Sequence, residues 1–410
     1  MRDLFSLLPP EEAFRRLEPY LRPLERTERI ATREALGRVL REDIFAGENL
    51  PSFPRSAMDG YAVRAEDTYG ASESQPVALK VIGEVPMGRP AGVKVSAREA
   101  AVVHTGGMLA EGADAVVMVE NTQAVDPATV EVMRAVAVGE NVLQTGEDIR
   151  QGELLLPAGC LLRPQDIGAL LALGVTAVTV SPPVRVALIA SGDELVPPER
   201  QPEPGQVRDI NTYTLSALAQ RAGATPLPLG IVGDDYQALR AATERGMREA
   251  DIVVIAAGSS VSTRDMTAQV ISSLGEPGIL VHGIAVKPGK PTILAMAGEK
   301  PVFGLPGNPV SAMVLFELVI VPTLCRLSGC RSLPQPSLRE ARLSQNIPSA
   351  AGREEYVPVR LEERDGELWA EPIFGKSNFI SILVRAEGMV QVPLDKVGLQ
   401  AGEKVQVKLF

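Results

Sequence analysis

The sequence predicts a multidomain protein of α/β plus β class: a parallel-sheet α/β domain, a β-rich domain inserted in the N-terminal half, and a small all-β domain at the C-terminal end. Three observations predict it. Strand-like and helix-like runs alternate between residues 184 and 255, and that alternation requires crossover connections and hence parallel pairing. Short β-rich runs separated by Gly and Pro fill residues 51–145 and 337–410. Proline-rich breaks at Ser181-Pro182-Pro183 and Ser332-Leu333-Pro334-Gln335-Pro336 read as linkers. The expected division is therefore residues 1–50 with 146–180, an insertion over 51–145, an α/β domain over 181–331 and a final domain over 332–410.

Taken in order, Pro10 opens a first helix, with Glu11 and Glu12 in its electropositive first turn and Phe14, Leu17 and Leu21 on one face. Residues 32–40 read as a second helix capped by Thr32. Runs at 77–82, 100–104, 115–120 and 129–132 are the strands of the inserted domain. Pro164 starts a helix that Gly174 ends. The α/β domain then reads strand 184–189, helix 212–222, strand 225–231, helix 236–250 and strand 251–255. Alternating runs at 355–361, 368–372, 388–393 and 403–409 give the last domain its strands.

Composition narrows the function. With 41 basic and 51 acidic residues the net charge is −10, which argues against nucleic acid as a general partner. An anionic ligand must then be held locally, by lysines, glycine loops and helix ends. Cys160, Cys325 and Cys330 contain no CxxC pair, so neither a disulfide framework nor a zinc ribbon is expected. His104 and His282 are the two histidines, so a metal would have to be a hard ion of the Mg²⁺ type held by carboxylates. Residues 1–12 carry Asp3, Pro9, Pro10, Glu11 and Glu12 and contain no secretory apolar core. The most apolar run, residues 310–327, is interrupted by Glu317 and Pro322 and falls short of the roughly 20 residues of a membrane span. A cytoplasmic protein without membrane association is the expectation.

The candidate chemistry lies in loops that follow strands. Gly304-Leu305-Pro306-Gly307-Asn308-Pro309-Val310-Ser311-Ala312 joins a strand-like to a helix-like run. Asn308 suits an N-cap and Pro309 the first helical position, so the helix would turn its unpaired N–H groups toward an oxyanion. A purely structural turn is the plainer alternative. Ala190-Ser191-Gly192-Asp193-Glu194-Leu195 and the stretch from Gly258 through Ser259 and Ser260 to Asp265 also follow strands. Ligands of parallel sheets lie outside the carboxyl ends of the strands, where all three loops fall. Lys287-Pro288-Gly289-Lys290-Pro291 supplies two amines on a proline-restricted turn, a candidate phosphate site. Glu194, Asp234 with Asp235, and Asp265 bring carboxylates to the same edge; they are either turn and cap residues or Mg²⁺ ligands, with Glu194 and Asp265 the candidates. Upstream, Asp59, Thr105 and Asp148 sit in polar turns within apolar surroundings. No Ser-His-Asp or Cys-His grouping is evident, and the two histidines read as packing or surface residues.

Together these motifs resemble the molybdopterin molybdenumtransferase family (MoeA, and the E domain of gephyrin). The resemblance runs over essentially the whole chain. It rests on Ala57-Met58-Asp59-Gly60-Tyr61-Ala62-Val63, Thr105-Gly106 with Gly112-Ala113-Asp114-Ala115-Val116-Val117, Gly146-Glu147-Asp148-Ile149, Gly192-Asp193-Glu194-Leu195, Lys287-Pro288-Gly289-Lys290-Pro291 and the loop from Gly304 to Ala312. It implies an elongated homodimer with a molybdopterin-binding α/β domain and a C-terminal β barrel. The implied reaction takes adenylylated molybdopterin and molybdate, with Mg²⁺, and releases AMP as molybdenum enters the dithiolene. The implied site is shared between subunits, with Asp59 and Thr105 acting across the dimer. Glu194, Asp234 and Asp265 would handle metal and phosphoanhydride, Lys287 and Lys290 the oxyanion, with Ser377 reaching the same site and Asp148 near a domain junction. The ligand loops would be Gly258-Ser259-Ser260 and Gly304, Pro306, Gly307, Asn308 and Pro309. A molybdopterin adenylyltransferase and molybdoenzymes are the implied partner proteins.

One loop departs from the family pattern. Gly258-Ser259-Ser260-Val261-Ser262-Thr263-Arg264-Asp265 is one residue shorter than the usual Gly-Gly-Val-Ser-Val-Gly-x-x-Asp, places Ser262 where a glycine is usual and adds Arg264. Arg264 is either a further phosphate contact or a solvated side chain. A molybdopterin adenylyltransferase is the nearest rival activity, and it would not need the β-rich and C-terminal domains. A non-catalytic scaffold on the same fold is the rival from another class.

Overall fold

The structure, a computed structural model, describes residues 7–258, 261–332 and 336–410. The α/β domain contains strands β1 (Arg185–Ser191), β2 (Thr225–Val232), β3 (Ile252–Ala257), β4 (Pro277–His282), β5 (Ile293–Ala297) and β6 (Lys300–Pro306). Its helices are α1 (Asn211–Arg221), α2 (Tyr236–Glu249), α3 (Val261–Ser272) and α4 (Pro309–Leu315). The sheet order is β2-β1-β3-β6-β5-β4. The first four strands pair in parallel, whereas β5 runs antiparallel to both of its neighbours, β6 and β4. The sheet is thus mixed rather than wholly parallel, because β5 returns through the tight turn at Glu299 and leaves no room for a crossover helix.

The strands alternate between two cores, which is why they read as continuous apolar runs. On one face Val186, Leu188, Ile252 and Val254 meet Leu215 of α1 and Leu315 of α4. On the other, Ala187, Ile189, Val253 and Ile255 meet Leu239 of α2 and Val270 of α3. The N-terminal helix, Pro10–Leu17, buries Ala13 and Leu17 in the first of these cores. Arg26 and buried Asp251 form a two-armed ion pair that ties this N-terminal segment to the start of β3.

α4 continues through a π turn, Phe316–Ile320, into Val321–Leu327. This is the one helix among the described residues long and apolar enough to cross a bilayer. Here its apolar side chains Ala312, Leu315, Phe316, Val319 and Ile320 are fully occupied in the sheet core.

Around residues 28–180, a six-stranded sheet over Gly60–Val132 carries the inserted β-rich region, while Glu28–Ala31 pairs antiparallel with Ala177–Val180. The helix expected over residues 32–40 is only a 3₁₀ turn, Thr32–Glu34. Thr32 spends its hydroxyl on the Val175 carbonyl, and Gly37 then takes φ +72°, which turns the chain away. Pro164–Ala172 is helical as expected.

At the C-terminal end, strands Leu338–Leu343, Glu354–Arg364, Glu367–Pro372, Gly388–Val392 and Lys404–Leu409 close into a five-stranded barrel. Closure removes the exposed edges of so small a sheet. A short strand of the α/β domain, Val286–Lys287, adds to the barrel in parallel, with Val286 opposite Glu354 and Lys287 opposite Glu355. That backbone pairing fixes the barrel against the carboxyl end of the α/β sheet.

Candidate functional site

The carboxyl ends of the central strands finish together: Ser191 pairs with Ala257, and Ala257 with Pro306. Their loops therefore emerge side by side, with the Gly258 N–H donating to the Ser191 carbonyl at 3.1 Å. A Cβ on Gly307 would stand 2.8 Å from the Ala257 carbonyl oxygen, so only glycine lets this loop lie flat on its neighbour. Among the described residues, buried Ser191 Oγ, Asn211 Oδ1 and Thr212 Oγ1 have no hydrogen-bond partner at this edge.

Between this edge and the barrel lies a cleft of about 780 Å³. From the α/β side it is lined by Lys287, Lys290, Pro306, Asn308 and Arg264, and from the barrel side by Arg353, Glu355, Tyr356, Lys376 and Ser377. Cations outnumber the lining carboxylate. Lys287 Nζ pairs with buried Glu355 at 2.5 Å, and Glu355 also accepts from Ser349 Oγ at 2.8 Å. Among the described residues Lys290 has no ion-pair partner. Among the described residues, buried Arg353 Nε has no hydrogen-bond partner. Tyr356 donates to Glu354 at 2.8 Å, and burial followed by that carboxylate pushes its hydroxyl well above the ordinary tyrosine range.

The lysine loop owes its path to Gly289, at φ +123°. A Cβ there would sit 2.6 Å from Leu315 Cδ1 of α4, so the loop packs directly on the helix that follows the glycine-proline loop. Asn308 stands at the N-cap position of α4 with Pro309 at N1, but its side chain does not cap. Instead Asn308 Nδ2 donates to Ser377 Oγ at 3.0 Å, and the Val310 N–H donates to the Ser377 carbonyl at 3.2 Å. The expectation that the helix end would hold all its N–H groups toward a ligand is corrected: the barrel loop takes one.

Of the acidic residues, Asp193 Oδ1 accepts from the Asp234 N–H at 2.9 Å, and the Glu194 carboxylate lies over Gly192, 2.4 Å from where a Cβ would be. Asp235, not Asp234, caps α2 through the Ala238 N–H at 2.7 Å. Asp265 lies inside α3, which begins at Val261, so it does not cap a helix starting near Met266. It is exposed and near His282, whose pKa is lowered by burial, against the pull of Asp265 and with the push of Arg264. Among the described residues no three of His, Cys, Asp and Glu converge as a ready metal cage. Ser259 and Ser260 lie outside the described residues.

Asp59 and Thr105 are brought together, away from this cleft's lining. Asp59 Oδ1 accepts from the Thr105 N–H at 2.8 Å and from its hydroxyl at 3.1 Å. These bonds, with His104 at 3.7 Å, lower the Asp59 pKa. His104, read as a bystander in the sequence, bridges Asp59 and Glu84 (3.0 Å). Asp148 is exposed and its N–H donates to the Leu50 carbonyl at 3.0 Å, in neither cluster. Sequence reasoning missed Arg353 and Glu355; the turn Gly352-Arg353 leading into the strand that begins Glu354-Glu355 was the available signal.

A doubly wound domain whose strand ends face a cationic cleft closed by a small barrel defines a multidomain α/β protein of anion-ligand type. Comparison with known proteins gives the family. The MoeA N-terminal region (domain I and II) matches residues 8–174, the probable molybdopterin binding domain residues 187–326, and the MoeA C-terminal region (domain IV) residues 340–410. The molybdopterin molybdenumtransferase of Bacillus subtilis is 34% identical over 98% of this chain and 94% of its own. That of Haemophilus influenzae is 30% identical over 94% of each. The crystal structure of the molybdopterin biosynthesis moeA protein from Pyrococcus horikoshii OT3 superposes with a TM-score of 0.81, at 34% identity over 99% of this chain and all of that one. The chain belongs to the MoeA family of molybdopterin molybdenumtransferases.

Proposed function

We propose that this chain is a molybdopterin molybdenumtransferase that takes adenylylated molybdopterin and molybdate, inserts molybdenum and releases AMP. The observation that carries the reading is the cleft in which Lys287, Lys290, Arg353 and Lys376 converge from two domains, with Arg353 Nε buried and unpaired. A buried guanidinium N–H without an acceptor is costly, and a tetrahedral oxyanion supplies acceptors in several directions at once. Lys290 and Arg353 hold that anion, Ser377 orients it and Lys287 is partly neutralised by Glu355. The Gly258 and Gly307 backbones, which lie close because a Cβ on Gly307 would stand 3.2 Å from Gly258 Cα, receive the phosphate end of the substrate.

Magnesium is usually held by one or two carboxylates completed by substrate phosphates; Glu194, after β1, and Asp265, in the first turns of α3, are the residues that would hold it. The ion would neutralise charge on the phosphoanhydride. Asp59 is kept ionised by Thr105 on an exposed face of the inserted domain. In the homodimer that the family resemblance implies, that face would complete the partner's cleft. The adenylyltransferase alternative is disfavoured by the barrel's share of the cleft wall, which a single α/β domain would lack.

The test is AMP release and molybdenum incorporation from adenylylated molybdopterin, Mg²⁺ and molybdate, comparing wild type with Arg353→Ala. Molybdate-dependent turnover that drops in the variant supports the reading. Adenylylation of molybdopterin from ATP without molybdate would replace it with the rival activity.

A further inference from the structure

All three cysteines of the chain, Cys160, Cys325 and Cys330, are drawn to one place by the way the helix Val321–Leu327 ends. The Cys330 N–H donates to the Cys325 carbonyl at 2.9 Å and the Gly329 N–H to the Arg326 carbonyl at 3.0 Å, with Gly329 at φ +77°. This is the paired hydrogen-bond pattern of a Schellman helix end, and it brings the side chains three residues before the cap and two after it into contact. Those positions usually hold apolar residues. Here both hold cysteine.

The two sulfurs converge on one oxygen, the Ser332 carbonyl, 3.0 Å from Cys330 Sγ and 3.7 Å from Cys325 Sγ. We propose that Cys325 and Cys330 form an oxidation site, a vicinal dithiol that small peroxides convert to a disulfide closing the helix end. The proximity of Cys325 lowers the Cys330 thiol below the ordinary value, against burial, while Cys330 and burial raise Cys325. Cys330 is therefore the attacking sulfur, since the thiolate is the nucleophile.

In the first step the Cys330 thiolate attacks one peroxide oxygen, the O–O bond breaks, and a sulfenic acid and hydroxide result. Cys325 sulfur then attacks the sulfenyl sulfur; the S–S bond forms, the S–O bond breaks, and the leaving hydroxide takes the Cys325 proton as water. Two thiols lose two electrons to one peroxide, and the proton balance gives two waters. The hydrogen bond from the Cys330 N–H to the Cys325 carbonyl keeps the two backbones adjacent at the helix end. The pair sits where the chain leaves the α/β domain, next to Arg331, whose N–H donates to Gly159 at 3.0 Å. Cys160 is near enough to Cys330 to feel its charge, and is the competing partner.

The experiment treats the full-length reduced protein with stoichiometric hydrogen peroxide, alkylates the remaining thiols and maps tryptic peptides without reduction. Arg326 lies between the two cysteines, so trypsin separates them unless a disulfide holds the peptides together. The expected result is a linked pair lighter by two hydrogens, with Cys160 alkylated, and the same link in Cys160→Ser. In Cys325→Ser, Cys330 should be trapped as a sulfenic acid by dimedone. Separate alkylated peptides after peroxide, a Cys160–Cys330 link, or no dimedone adduct at Cys330 would each overturn the proposal.

Discussion

Asn308 Nδ2 donates to Ser377 Oγ at 3.0 Å across the seam between the α/β domain and the barrel. Asn308 holds the N-cap position of α4 but leaves the helix uncapped to make this contact. The seam is thus built from the same residues that face the cleft. Ser377→Ala removes one neutral hydrogen bond, worth about 0.5–1.5 kcal/mol. The unfolding midpoint in urea should fall in proportion to that lost stability, and molybdate-dependent AMP release should fall by up to roughly tenfold as the seam loosens beside the cleft.

Arg353 should matter more. Its loss removes a charge-assisted contact of about 1.5–3 kcal/mol, so molybdate affinity should weaken roughly 10- to 100-fold in Arg353→Ala. Arg353→Lys keeps the charge and loses the fork of donors, and should fall between. Calorimetric titration with molybdate reads both. Equal affinity in all three proteins would remove Arg353 from the anion site.

Gly289→Ala should damage the fold and the site together. Its φ of +123° and the 2.6 Å approach to Leu315 leave no place for a methyl group, a cost of about 1–3 kcal/mol for overpacking in addition to the backbone strain. Urea denaturation measures the loss. Because the loop carries Lys287 and Lys290, molybdate binding should weaken at temperatures where the protein is still folded.

Acid should loosen the tie between Arg26 and Asp251. Burial pushes the Asp251 carboxyl up, but Arg26 and Arg185 outweigh it and leave the pKa below its ordinary value. A depressed carboxyl contributes stability at pH values above the unfolded value of about 3.9. That contribution is lost as pH falls through the folded pKa. Asp251→Asn should therefore destabilise at neutral pH, on the order of 2 kcal/mol, less than the 3–5 kcal/mol of a fully buried pair because Arg26 is 40% exposed. The difference from wild type should shrink on acidification below about pH 4, which melting curves from pH 7 to 3 would show.

Shared sites can be read from mixed dimers. Asp59→Asn and Lys290→Ala should each be nearly inactive alone. Refolded together, they should recover about one quarter of wild-type turnover, since random pairing gives half mixed dimers with one intact site of two. No recovery from a mixture shown to exchange subunits would place Asp59 and Lys290 in one subunit's site.

Much of the fold was legible because its signals are local. The strands β1 and β3 are continuous apolar runs, and α2 is an amphipathic helix with an aspartate cap. Residues 32–40 misled because a cap-like Thr32 and a few apolar residues imitate a helix start. What the threonine hydroxyl actually bonds, Val175, is 143 positions away. The site divides in the same manner. Lys287 and Lys290 were visible in a proline-framed turn, whereas Arg353 is one arginine among many until the barrel folds it over the cleft. Asp59 and Thr105 were each visible, and their hydrogen bond over 46 positions was not.

The sequence by itself determined the alternation of strand-rich and helix-containing stretches, the three loops at the strand ends and the residue types able to hold an anion. Periodicity, glycine and proline act within a few residues, and they leave their mark wherever they occur. Only the tertiary structure decided that the barrel joins the α/β domain by pairing Glu354 and Glu355 with Val286 and Lys287. It also decided that Ser377 occupies a helix end and that Glu355 takes one of the two lysines. Those outcomes depend on backbone pairing and burial between segments distant in sequence, where burial makes each unpaired charge or N–H costly enough to select its partner.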